Sequence, residues 1–231
     1  MFFRAEAFQD RREAGRVLGN AILASGIWRS GQEGVVLGLP RGGVPVAYEV
    51  ALALHLPLDI VVVRKLGVPG FAELAMGAVA ADGALVLNAA IIHEFRIPEE
   101  VVDAAADQER QEVERRERAY RNGRTPERTE GRLAILVDDG LATGASMLAA
   151  VRAVRPRARE VMVAVPVAAQ STCNDFRHEV DYVICARVPW PFYSVGSFYR
   201  NFEQTTDAEV CSLLSEASDH RESWPAPIVR F

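Results

Sequence analysis

An α/β fold with a mainly parallel central sheet flanked by helices is predicted by three features of the sequence. Five short apolar runs, at 34–39, 58–63, 133–137, 161–167 and 182–186, have the length of buried strands. Helical segments alternate with them, the order that builds βαβ units and a parallel sheet. At 231 residues, 49% of them apolar, the chain is long enough for one well-buried domain and short for two. Residues 1–231 are therefore read as a single domain, with a core at about 30–187, an N-terminal helix at about 10–28 and a C-terminal cover at about 188–231.

The first helix is expected over 10–28, where Ala14, Val17, Leu18, Ala21 and Ile22 share one side and Arg12, Glu13 and Arg16 the other. The strand 34–39 leads through the loop Pro40 to Pro45 into a helix over 46–56, and the strand 58–63 completes a βαβ unit. Residues 75–80 and 84–87 flank Asp82-Gly83, a dipeptide that favours a tight turn, so an antiparallel pair is expected on one edge of the sheet. From 98 to 124 the chain is heavily charged, with Val101, Val102, Val113 and Tyr120 among its few apolar positions, which predicts an exposed helix. The strand 133–137 ends in Asp138-Asp139, and a Gly/Thr/Ser loop then opens a helix from Ser146 to about Val154. A helix over 171–178 separates the last two strands. After Val188, prolines 189, 191, 225 and 227 interleave with aromatic residues, which predicts local cover rather than another strand.

The net charge of −5 gives no general field for nucleic acid, so an anionic ligand must be held by local groups. Cys173, Cys185 and Cys211 form neither a CxxC pair nor an even disulfide set, which points to a reducing cytoplasm. The opening MFFRAEAFQDRREAG places acids and arginines where a signal peptide needs an uninterrupted apolar stretch. No membrane span is expected, because the longest apolar region is broken by Arg41, Glu49 and His55. His55, His93, His178 and His220 have no metal-site spacing.

The chemistry is concentrated in LAILVDDGLATGASMLAA, where an apolar strand delivers two carboxylates to a small-residue turn that opens a helix. Backbone N–H groups at a helix start, with the positive end of its dipole, hold a phosphate without lysines. Gly140 and Gly144 let the backbone come close, and Thr143 and Ser146 add hydroxyl donors. Two aspartates beside a phosphate must face something else, such as sugar hydroxyls or hydrated Mg²⁺.

This pattern of apolar strand, two acids, short spacer, Thr-Gly and Ser resembles the motif of type I phosphoribosyltransferases that binds 5-phosphoribosyl 1-diphosphate (PRPP). The resemblance implies the type I fold, with a small hood and an exposed charged helical loop. It implies that Asp138 and Asp139 contact the ribose hydroxyls and Mg²⁺, and that Gly140, Leu141, Ala142, Thr143, Gly144, Ala145 and Ser146 cradle the phosphoribosyl group. Leu39-Pro-Arg-Gly-Gly-Val44 stands where the family keeps its pyrophosphate loop, so Arg41, Gly42 and Gly43 are expected on the diphosphate, with the Pro40–Arg41 peptide cis. Arg64 and Lys65, just beyond the end of a parallel strand, resemble the Arg-Lys pair of adenine-type enzymes and are expected on diphosphate oxygens. Asp138, Asp139, Arg41 and Lys65 form the implied catalytic set. Arg115, Arg116, Arg118 and Tyr120 lie where relatives keep a loop that closes over the site. Phe192, Tyr193 and Tyr199 fall in the hood and are expected on the acceptor.

Some relatives carry an aspartate before Thr-Gly as a candidate base. Ala142 stands there in this chain, as alanine does in adenine phosphoribosyltransferases, so no general base is assigned. The whole pattern is most similar to bacterial phosphoribosyltransferases of unassigned substrate. It implies Mg²⁺-dependent transfer from PRPP to a small nitrogen acceptor, a nucleobase as in purine salvage, by a cytoplasmic homodimer that binds neither nucleic acid nor membrane. The alternative on the same fold is a PRPP- or nucleotide-sensing regulator without transferase activity. A generic nucleotide-binding domain has no support, since neither GxGxxG nor GxxxxGK[ST] is present.

Overall fold

A computed structural model describes residues 7–80 and 84–222. The elements run α1 (Arg11–Ala24), β1 (Gly34–Gly38), α2 (Gly43–Leu54), β2 (Leu58–Ile60), β3 (Val63–Val68), β4 (Phe71–Ala80), β5 (Leu85–Leu87) and α3 (Ala89–Glu94). They continue through α4 (Glu99–Arg121), β6 (Leu133–Val137), α5 (Ala145–Val154), β7 (Glu160–Val167), α6 (Gln170–Phe176), β8 (Tyr182–Arg187) and α7 (Asp207–Glu222).

Five strands form a wholly parallel sheet in the order β2-β1-β6-β7-β8. Strand side chains alternate between the two faces, and both faces are buried. Val35, Leu37, Ala134, Leu136, Val163 and Val165 pack against Met147, Ala150 and Val151 of α5 and Cys173 and Phe176 of α6. Val36, Ile135, Val137, Met162 and Ala164 face Leu18 and Ile22 of α1 and Val46, Ala47 and Val50 of α2. The Asp10 carboxylate caps α1 by accepting the Glu13 N–H at 2.8 Å, which fixes where that helix starts.

The expected antiparallel pair is not on an edge of this sheet. It belongs to a second sheet of three antiparallel strands in the order β3-β4-β5. The strand expected over 58–63 ends at Ile60, and the Val61 N–H makes a last bond to the Gly38 carbonyl before the chain turns away to start β3. The Asp82-Gly83 turn lies outside the described residues.

The charged stretch forms a regular helix, as the composition predicts, and one side of it is packed against the rest of the fold. Val102, Ala106, Val113 and Tyr120 lie on one buried stripe of α4, facing the second sheet and Val210, Leu213 and Leu214 of α7. The sequence does not announce helix α7, since its mixed polar stretch reads as cover.

The end of α4 is bolted to β2 by a buried ion pair. Arg121 Nε lies 3.2 Å from Asp59 Oδ1, its Nη2 donates to the Ile60 carbonyl at 3.2 Å, and Asp59 Oδ2 accepts the Glu127 N–H at 2.8 Å. Burial pushes the Asp59 carboxyl above its ordinary range, and the Arg121 charge opposes that shift. Arg121→Ala leaves this carboxylate buried without its cation, an expected loss of about 3–5 kcal/mol. Thermal denaturation should show a fall in Tm of roughly 10 °C. Asp59→Asn combined with Arg121→Met should recover most of it, because both charges are then gone.

Candidate phosphoribosyl-binding site

The site lies at the carboxyl ends of β1 and β6. These strands are neighbours, yet the chain proceeds from β1 to β2 on one side and from β6 to β7 on the other. In open parallel sheets the crevice at such a switch point is where ligands collect. The pairing of β1 with β6 runs from Gly34↔Leu133 to Gly38↔Val137, and the Leu39 N–H extends it to the Val137 carbonyl at 2.9 Å. It therefore delivers the Pro40–Gly43 turn directly beside Asp138 and Asp139. The Pro40–Arg41 peptide is cis.

The contact between the two loops explains both glycines. A Cβ on Gly42 would stand 2.2 Å from Asp139 Oδ2, and one on Gly43 would stand 2.7 Å from the Val137 carbonyl and 2.9 Å from Asp138 Cα. Only glycine permits that approach.

The loop after β6 is held from behind. The Leu141 N–H donates to the Val167 carbonyl at 2.9 Å, the Ala169 N–H to the Leu141 carbonyl at 3.0 Å, and the Thr172 hydroxyl to the Ala142 carbonyl at 2.5 Å. Gly144 caps α5 with φ +75, and a Cβ there would meet the Phe176 ring at 2.5 Å. Ala142, Thr143 and Ser146 are exposed and Ala145 is half-buried, so the open side of the loop leads to the first turn of α5. The N–H groups of that turn have no partner within the helix and sit at the positive end of its dipole. Such a backbone arrangement has the polarity to hold an anion.

Asp138 and Asp139 form the acidic floor. Asp138 Oδ1 accepts the Asp139 N–H at 2.8 Å. Burial holds the Asp138 carboxyl well above the ordinary range, and the adjacent Asp139 charge adds to that shift. Burial also raises Asp139, opposed by the Arg11 guanidinium, whose Nε and Nη2 lie 2.9 and 2.8 Å from Asp139 Oδ2. The Tyr199 hydroxyl donates to the Asp139 carbonyl at 2.5 Å, and burial followed by the Asp139 charge raises its phenol above the ordinary value.

The other expected residues divide. Arg41 stands at the rim, with Nη1 3.4 Å from Asp207 Oδ1, an oxygen that also accepts the Tyr120 hydroxyl at 3.0 Å. Arg64 and Lys65 are not beyond a parallel strand but inside β3 of the antiparallel sheet. Arg64 faces α4, where Glu109 takes its Nε at 2.6 Å. Lys65 is exposed on the opposite face, the side of Val63, which packs against the cluster containing α5. Of the aromatic residues expected on an acceptor, Tyr199 is buried between Phe8 and Phe202, with ring centroids at 5.5 and 4.9 Å, so its ring is covered. Phe192 stacks on Phe198 at 5.4 Å, and Tyr193 points to solvent. Arg11, Thr172, Phe202 and Asp207 touch this site without any motif in the sequence to mark them. A short sequence window gives no sign that Arg11 meets a residue 128 positions later.

Raised carboxyls make a stability prediction. Above the ordinary Asp value of about 3.9 the folded chain holds more protons on this pair than the unfolded chain does, so stability falls as pH rises toward the raised values. Asp138→Asn removes the more perturbed group, and urea unfolding between about pH 4 and pH 7 should give a flatter dependence than wild type.

Comparison with known proteins agrees with this geometry. A family model described as a phosphoribosyl transferase domain matches residues 78–196. Two Mycobacterium tuberculosis proteins from different strains, both named only as candidate phosphoribosyl transferases, are 44% identical over 216 residues. The match covers 93% of this chain and 47% of each relative, so the chain spans about half their length. The crystal structure of TT1426 from Thermus thermophilus is 41% identical, with a TM-score of 0.80 over 91% of this chain and 98% of that one. A strand-end acidic pair, a backbone anion cradle and these likenesses lead to one statement: the chain belongs to the phosphoribosyltransferase family.

Proposed function

We propose that the chain transfers the 5-phosphoribosyl group of PRPP to a nitrogen acceptor, releasing pyrophosphate. The observation that carries this reading is the meeting of Gly42 and Gly43 with Asp138 and Asp139 beside the cradle at Ala142–Ser146. A ligand with a phosphate at one end, a vicinal diol in the middle and a diphosphate beyond matches that order of groups.

In this reading the N–H groups and hydroxyls of Thr143 to Ser146 hold the 5-phosphate, and the acidic pair faces the ribose hydroxyls. The bond from C1 of the ribose to diphosphate breaks with its electron pair leaving on the diphosphate, the acceptor nitrogen supplies the pair for the new bond, and the proton that nitrogen carried passes to water. Backbone donors of the Gly42–Gly43 turn and the Arg41 guanidinium receive the charge that develops on the leaving group. Lys65 is exposed on the α5 side of its strand, and this reading assigns its ammonium to the same oxygens.

Two adjacent carboxylates provide the oxygen donors that Mg²⁺ prefers, and Mg²⁺ commonly takes its remaining ligands from substrate phosphates and water. Among the described residues no group of three or more His, Cys, Asp or Glu could hold a metal. By the chemistry of their oxygens, Asp138 and Asp139 are the residues that would hold it, and the bound ion would neutralise the diphosphate.

Ala142, which adenine-type relatives share, supports a purine base as acceptor, and the family resemblance supports a cytoplasmic homodimer. Ala142 also supports a second reading, a PRPP-sensing protein without turnover, because it places no carboxylate beside the acceptor. Among the described residues no helix is long and apolar enough to cross a membrane.

Titration calorimetry should show Mg²⁺-dependent PRPP binding, and a pyrophosphate-release screen over nucleobases should identify the acceptor. Asp138→Asn with Asp139→Asn should abolish binding while circular dichroism remains native. Unchanged affinity in that double variant would sink the assignment of the pair, and binding without release for any base would select the sensor.

A further inference from the structure

We propose that Arg11 is a positioning residue that divides the work of the acidic pair. The proposal rests on the phosphoribosyl-transfer reading above. Arg11 is fixed on several sides: Nε and Nη2 converge on Asp139 Oδ2 at 2.9 and 2.8 Å, and Nη1 donates to the Glu203 carbonyl at 2.6 Å. Its guanidinium carbon lies 4.0 Å from the centroid of the Phe202 ring, and its side chain is 12% exposed. A planar cation gripped by a carboxylate, a carbonyl and an aromatic face is a built part of the site, not a loose counter-ion.

The consequences for the two aspartates differ. Asp139 is drawn toward α1, and its main chain is also held by the Tyr199 hydroxyl. Asp138 makes no ion pair among the described residues and keeps only the Asp139 N–H on Oδ1. The ribose diol and a metal ion therefore meet Asp138 without a competing cation, while Asp139 meets them with one oxygen already charge-balanced by Arg11. Arg11 also offsets one of the two negative charges beside the place where a diphosphate arrives. Without Arg11, PRPP would face an uncompensated pair, and its binding would depend more heavily on a divalent cation.

The test is calorimetry with PRPP, with and without saturating Mg²⁺, on wild type, Arg11→Gln, Arg11→Lys and Arg12→Gln. Arg12 lies next in α1, but its Nε pairs with Glu49 at 2.6 Å, so it controls for loosening of the helix. The quantity read is the ratio of the PRPP Kd without metal to that with metal, which partial unfolding does not move. Arg11→Gln should raise this ratio by about tenfold, the order expected when one unit charge near the diphosphate is no longer offset. Arg11→Lys keeps the charge and should hold the ratio near wild type while weakening both affinities, and Arg12→Gln should lower Tm and leave the ratio unchanged. An unchanged ratio in Arg11→Gln, or an equal rise in Arg12→Gln, overturns the positioning role alone. If Arg11→Gln does not fold, a rise of about tenfold in Arg11→Lys, which keeps the charge, overturns it too. Failure of wild type to bind PRPP at all overturns the reading of the site and this proposal with it.

Discussion

The contact between the Gly42–Gly43 backbone and the two carboxylates at the end of β6 is the constraint on which the rest of the site depends. It follows from the unbroken parallel register of β1 and β6, which ends both strands at the same height. No side chain larger than hydrogen fits between the loops, so the main chain of one lies directly on the acids of the other. Backbone N–H groups and carboxylates are thereby brought within one ligand's length. The loop after β6 carries the acids and one set of backbone donors, and the Gly42–Gly43 turn sets a second stretch of main chain against them.

That closeness has an electrostatic cost. Two adjacent carboxyls are kept largely from water, and burial raises both above their ordinary range. The remedy comes from distant parts of the chain. The Phe8 N–H bonds to the Phe198 carbonyl at 2.8 Å and the Arg200 N–H to the Phe8 carbonyl at 2.8 Å, so the segment before α1 is zipped to the segment before α7. This clasp sets Arg11 on Asp139 and Tyr199 on the carbonyl of the same residue. Chain segments that look like trim in the sequence thus support the centre of the site.

What can be read from the sequence follows from how local each signal is. The strands of the parallel sheet are legible because they are buried on both faces and so appear as continuous apolar runs. The Asp138–Ser146 loop is legible because its glycines, hydroxyls and acids lie within nine consecutive residues. The start of β3 is not, since Val61 and Val62 join it to β2 without a polar break, and both are buried. Helix α7 escapes a sequence reading because its buried Val210, Leu213, Leu214 and Ala217 stand among many exposed polar residues. Arg11 and Asp207 escape it because a long-range polar contact leaves no periodicity and no motif. The aromatic hood invites over-reading: a tyrosine near the site suggests a stacking surface, whereas Tyr199 spends its ring on packing and its hydroxyl on the backbone.

The anchoring of α4 changes where water exclusion can begin. Its charges are largely satisfied within the helix: Glu112 accepts from Arg115 and Arg116 at 2.7 and 2.6 Å, which holds its carboxyl down to about 2, and Glu114 accepts from Arg118 at 3.0 Å. Exposed pairs of this kind add little stability, so the buried stripe from Val102 to Tyr120 is what fixes the helix. Moving α4 across the site would expose that stripe and break the Arg121–Asp59 pair. The elements already touching the acidic loop and Arg41 are the clasp and Asp207, joined by weaker and more exposed contacts such as the 3.4 Å approach of Arg41 to Asp207. A diphosphate arriving at Arg41 would compete directly with that carboxylate. It would therefore bear first on the start of α7 and, through the Tyr120 hydroxyl on the same Asp207 oxygen, on the end of α4.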